Sequence, residues 1–144
     1  MNPIRFFVPG IPAPGGSKRA FINRKTGRPI VTDDCKRNKD WRTMVGWAGT
    51  EQFKAPLAGP LRVEFHFVMP RPKDHFGKGK NAGKLKPSAP QYHTSRPDAT
   101  KLIRSTEDAL TGIAWRDDAQ IAHQVGDKVY GDKPGAWIMV EAMA

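Results

Sequence analysis

Hydrophobic and polar positions alternate most strictly in LRVEFHFVM, residues 61–69. Leu61, Val63, Phe65, Phe67 and Met69 fall on one side, and Arg62, Glu64 and His66 on the other. This period of two predicts a half-buried strand. Ile4 to Val8 predicts a first strand, closed by the Pro- and Gly-rich PGIPAPGG, which cannot continue as a helix. Residues 20–32 (AFINRKTGRPIVT) place β-formers on both sides of a basic turn containing glycine, the pattern of a hairpin with a cationic tip. Ala119 to Tyr130 and Ala136 to Met143 flank GDKPG and predict a second hairpin that closes the chain.

Two segments carry the helical period instead. Asn38 to Phe53 spaces Trp41, Met44, Val45, Ala48 and Phe53 near one helix face before the turn signal PLAGP. From Ser95, Leu102, Ile103, Thr106, Ala109, Leu110 and Ile113 form an apolar stripe, with Pro97 in the first turn and Gly112 near the stop. The elements together predict an α/β chain of the α+β type, a mixed β-sheet packed with two main helices. At 144 residues the chain suits one domain over 1–144.

Between the strand at 61–69 and the second helix, residues 70–96 hold seven Lys/Arg and one acid among Pro, Gly and polar residues. A basic loop this long inside a compact domain is functional or disordered, and its charge suits a phosphate backbone. The whole chain points the same way: 24 Lys and Arg against 14 Asp and Glu give a formal charge of +10, which makes a polyanion the first partner to consider. Nucleic acid is favoured over membrane, since no apolar run approaches the ~20 residues of a spanning helix and no basic amphipathic helix stands out. The N-terminus lacks a signal-peptide pattern, Cys35 has no partner cysteine, and His66, His75, His93 and His123 make no zinc-ligand spacing. A cytoplasmic protein is expected.

Against that basic background, Asp98, Glu107, Asp108, Asp117 and Asp118 lie within one stretch, SRPDATKLIRSTEDALTGIAWRDDAQ. Each has a structural use. Ser95-Arg96-Pro97-Asp98 fits an acid satisfying a first-turn amide, and Asp117-Asp118 fits a polar turn. Asp98 and Asp108 stand about 15 Å apart on a helix, too far to share one ion, so Asp108 is read as structural. Glu107 points away from the apolar arc and is read as solvated. Asp118 differs: residues 112–118, extended at ~3.3 Å per residue, span about 20 Å and can return it past the helix to Asp98. Two carboxylates meeting there, with Lys101 and Arg104 on the same helix, would hold a hydrated Mg2+ against a phosphodiester.

The run Pro97-Asp98-Ala99-Thr100-Lys101-Leu102-Ile103-Arg104, then Asp108-Ala109-Leu110, then Asp117-Asp118-Ala119-Gln120-Ile121 resembles the RusA-type Holliday junction resolvases of bacteria and their phages. Their pattern is P-D-x-D-N-L-x-K opening a helix, D-A-L, and D-D-x-Q-V entering a strand. Upstream, Gly10-Ile11-Pro12, Lys18-Arg19 and Met69-Pro70 follow the family's order. The resemblance implies a homodimer that binds four-way junctions by shape and nicks two opposed strands with Mg2+ or a similar ion such as Mn2+. It assigns the first and last catalytic acids to Asp98 and Asp118. Arg104 stands at the family's lysine, as a phosphate clamp, and Lys101 at its asparagine. Thr100 stands where the family has its second catalytic Asp, and Asp117 is the alternative third carboxylate. Backbone phosphates fall to Lys18, Arg19, Lys78, Lys80, Lys84, Lys86 and Arg96. Two other functions use the same features: a non-catalytic protein of this fold that binds branched DNA, and a nuclease for other branched DNA or RNA.

Overall fold

The computed structural model describes the backbone of residues 2–15, 18–22, 24–33 and 36–144, and the side chains of 2–15, 24–28 and 37–144. The elements in chain order are β1 (Ile4–Pro9), β2 (Lys18–Ile22), β3 (Pro29–Asp33), α1 (Lys36–Gln52), β4 (Leu61–Met69), α2 (Ala99–Leu110), β5 (Ile121–Tyr130) and β6 (Gly135–Ala142). β2 and β3 pair antiparallel as the expected hairpin. The side chains of Lys18, Arg19 and Cys35 lie outside the described ones.

The other four strands form one mixed sheet in the order β1-β6-β4-β5, with β4 antiparallel to β6 and parallel to β5. β4 keeps the predicted alternation throughout. Leu61, Val63, Phe65, Phe67 and Met69 are buried, and the residues between them are half-exposed. Phe6 and Val8 of β1 and Ala136, Ile138 and Val140 of β6 share the buried face by register. Trp41, Val45 and Phe53 of the first helical segment and Leu102 and Leu110 of α2 cover it. Two buried polar contacts join the helices: Trp41 Nε1 donates to Thr106 Oγ1 at 3.1 Å, and Ser105 Oγ to Asn38 Oδ1 at 2.9 Å. The mixed sheet with two main helices is therefore the observed architecture.

The closing hairpin is not. β5 and β6 both pair with β4 and not with each other. The four-residue connection 131–134 crosses the end of β4, where Gly131 N donates to Met69 O at 3.1 Å. The reason is burial. β4 presents five large apolar side chains to the helices, whereas β5 presents Gln124, Gly126, Lys128 and Tyr130 on that face. The apolar strand takes the centre and the polar one the edge. Gly126 lets α2 lie close over that edge, since a Cβ there would stand 2.6 Å from Ile103 Cδ1.

Candidate active site

β4 and β5 end side by side, at Met69 and Tyr130, and the basic segment leaves and returns at that end of the sheet. The segment is irregular but fastened. Arg71 donates to Pro90 O at 2.7 Å and stacks over the Tyr130 ring at 5.3 Å, while His75 and His93 meet that ring edge-on at 4.8 and 5.0 Å. Two backbone hydrogen bonds, His93 N to Lys128 O and Tyr130 N to Gln91 O, add residues 91–93 to the end of β5. Within the segment, Phe76 bridges to Leu85 and Gly77 N donates to Lys84 O, looping out a small unit. It carries Lys78, Lys80 and Lys84, all exposed, and is followed by half-buried Lys86.

The segment delivers the chain to Asp98. Lys128, on the helix-facing side of β5, donates to Ser95 O at 2.9 Å and Pro97 O at 2.8 Å and so pins the turn before α2. Arg96–Pro97 is a cis peptide bond. Contrary to the sequence expectation, Pro97 precedes the helix. Asp98 is still extended (φ −69°, ψ 147°) and is the N-cap residue of α2, and its carboxylate makes no capping hydrogen bond. The side chain is 62% exposed, with Lys101 Nζ 3.8 Å away, a weak surface pair. The amide-satisfying role open to Asp98 in the sequence is thus not used. An uncommitted carboxylate stands at a helix N-terminus, where the local potential is positive. Thr100 and Lys101 are exposed in the first turn, Arg104 is exposed further along α2, and Arg96 is exposed before it.

Asp118 does not join Asp98 within the chain. Residues 111–118 fold back instead of extending. Gly112 adopts φ +91° and donates to Trp115 O, and Ile113 N and Ala114 N both donate to Leu110 O at 2.9 Å. Trp115 anchors the turn: it is fully buried, and its Nε1 donates to Thr111 Oγ1 at 3.1 Å. Burying that indole outweighs the reach of an extended chain. Asp117 then caps a short 3-10 turn at 118–120, accepting from Ala119 N at 2.8 Å, while Gln120 Oε1 accepts from Asp117 N. Its carboxylate is committed, and that of Asp118 is exposed.

Glu107, expected to be solvated, is half-buried and accepts a hydrogen bond from Gln124 Nε2. Its carboxyl is pushed up to about 7, first by burial and then by the nearby charges of Asp118 and Asp108. Asp118 therefore lies by the C-terminal half of α2, while Lys128 ties the other end of β5 to the turn at Asp98. Glu107 is nine residues from Asp98, about 13 Å along a helix. Among the described residues no three His, Cys, Asp or Glu converge to hold a metal ion. The donor type, carboxylate oxygen, suits Mg2+, which takes one or two carboxylates together with water and substrate phosphate.

The Glu107 shift has a measurable consequence. Between its ordinary 4.5 and about 7 the unfolded chain is ionised at this residue and the folded one is not. The folded state then holds more protons, so stability falls as pH rises through that window and levels above it. Glu107→Gln is expected to gain stability over the parent between pH 4 and pH 8, read as urea midpoints. Parallel pH profiles for the two proteins would refute it.

Residues 9–141 match the endodeoxyribonuclease RusA family. The chain belongs to that family. The RusA family comprises endodeoxyribonucleases that act on Holliday junctions, so the basic loop and the uncommitted Asp98 occur in a nuclease fold. A Bacillus subtilis (strain 168) relative, described as the uncharacterized protein YqaN, is 23% identical over 144 residues, spanning 100% of this chain and 99% of its own. No helix among the described residues is long and apolar enough to cross a membrane. Lys128 and Tyr130, which hold the turn and the loop beside Asp98 in this RusA-family chain, were missed in the sequence. Their only signal there is a lysine and an aromatic on one face of an otherwise ordinary strand.

Proposed function

We propose that this RusA-family chain is a Mg2+-dependent junction endonuclease that acts as a homodimer, with Asp98 of one copy and Asp118 of the other contributing to each metal site. The observation that carries this is the separation of the two acids along α2, each exposed and uncommitted. β5 is an edge strand whose residues 122–125 are exposed, a surface that can pair with a second strand. Antiparallel pairing of two β5 edges about a two-fold axis brings the Asp118 end of one chain toward the Asp98 end of the other. A two-fold dimer also matches the two equivalent strands of a junction.

Mg2+, or Mn2+ in its place, supplies Lewis-acid activation of water for in-line attack on phosphorus. The chain's own part is to hold the strand. Arg96, Lys101 and Arg104 clamp phosphate near Asp98, and Lys18, Arg19, Lys78, Lys80, Lys84 and Lys86 bind the flanking backbone. The test is cleavage of a labelled four-way junction with Mg2+ or EDTA beside a linear duplex of the same sequence; paired nicks in the junction alone, only with metal, are expected. Binding without nicking in Mg2+ or Mn2+ would favour the second reading, a non-catalytic binder of branched DNA. Thr100 in place of an acid is the observation in its favour.

Two further results are expected. Replacing Lys78, Lys80, Lys84 and Lys86 together by Ala lowers the slope of log affinity against log salt by about 3.6, since each phosphate contact contributes about 0.9. An unchanged slope would remove the loop from the DNA interface. Thr100→Asp changes the Mg2+ concentration for half-maximal cleavage by less than about threefold, because substrate phosphate and water complete the coordination of Mg2+. A large gain would show that position 100 limits the site.

A further inference from the structure

Beside Asp98 lies a cavity of about 460 Å3 that the proposed cleavage chemistry leaves unused. Its walls are apolar: Pro12, Ala13 and Met69 are buried, and Pro70 and Pro97 close the sides. Its rim among the described residues is cationic, with Arg37, Arg96 and Lys101 exposed around Asp98. His93 lines the same cavity at 8% exposure, and its Nδ1 has no hydrogen-bond partner among the described residues. That nitrogen is itself closed to solvent, so only the rest of the ring can face a ligand in the cavity. Burial, helped by Lys128, holds the imidazole pKa below its ordinary value, which favours a neutral, polar ring.

We propose that this cavity takes one unstacked nucleobase of the DNA strand bound at Asp98, its ring against the apolar walls and its edge toward His93. The inference rests on the nuclease function proposed above and adds a subsite to it. The chemistry selects this occupant. A phosphate suits the cationic rim but loses its hydration against proline and methionine walls. An apolar side chain suits the walls and wastes the rim. A nucleotide has a flat ring for the first and flanking phosphates for the second, and the volume lies in the range of small-ligand sites. A base inside a duplex cannot enter, and unstacking costs least where the stack is already interrupted, as at the crossover of a junction.

The test is the rate of cleavage, in Mg2+, of immobile four-way junctions in which the base on either side of each crossover phosphate is varied and then replaced by an abasic site. On one side of the cut phosphate, the abasic site is expected to slow cleavage by about tenfold or more, as stacking and edge contacts are lost. Junction affinity should change far less. His93→Phe is expected to flatten the rate differences among the four bases. Ile11→Trp, at an exposed position on the cavity wall, tests the same point without touching a buried residue, and should slow cleavage of the preferred junction while binding is kept. Cleavage that ignores base identity and the abasic site, or rates unchanged in both variants, overturns the subsite and leaves the nuclease function standing. A parent protein that cuts no junction with Mg2+ or Mn2+ overturns the nuclease function, and the subsite with it.

Discussion

Asp98→Asn is expected to lower the rate of junction cleavage by about a thousandfold or more, roughly 4 kcal/mol of transition-state stabilisation, with junction affinity equal to the parent's or tighter. The two halves of this result have separate causes. Cleavage fails because an amide cannot supply the charge of a metal-binding carboxylate. Binding survives because the change removes a negative charge from beside the phosphates. The fold survives as well: the Asp98 carboxylate makes no capping bond and only a 3.8 Å surface pair with Lys101, and asparagine is itself a favourable N-cap residue. Rates from single-turnover cleavage and affinities from gel shift in Ca2+ or EDTA check both halves. Parent-like cleavage by Asp98→Asn would remove this residue from the chemistry.

The second large effect comes from mixing two inactive proteins. Asp98→Asn and Asp118→Asn are each expected to be inactive. After subunit exchange, a heterodimer regains one intact site, built from the Asp98 of the second variant and the Asp118 of the first. Activity should return from near zero to about a quarter of the parent's, since half of the dimers are mixed and each has one of two sites. The product should be single nicks instead of paired ones. If both acids acted within one chain, no mixture would recover activity, because each chain would still lack one of them. The readout therefore separates a composite site from an intrachain one even though both need the same two residues.

The strands and helices were largely legible because their signals are local. β4 alternates without a break and forms at its predicted bounds, and Trp41, Val45 and Phe53 mark the buried face of the first helical segment. Two features were not legible. Strand order depends on which strand most needs burial on both sides, so the adjacent β5 and β6 part to flank β4. The reach of residues 112–118 depends on Trp115, whose pull into the core turns the segment back. The same turn leaves Glu107 half-buried near Asp118, although its place in the helical pattern marked it as solvated.

By itself, the sequence determined the element types, the surplus of positive charge and the family pattern from Pro97 to Ile121, within which Asp98 and Asp118 are the acids chosen as candidates. These are properties of residue type and short-range spacing. Tertiary structure decided that Asp98 is released from capping, that Asp117 is consumed by it, that Lys128 holds the turn beside Asp98, and that the two chosen acids stand apart along α2. Each of those outcomes is a competition between distant groups for burial or a hydrogen bond, and its winner is set only when the sheet and helices have packed.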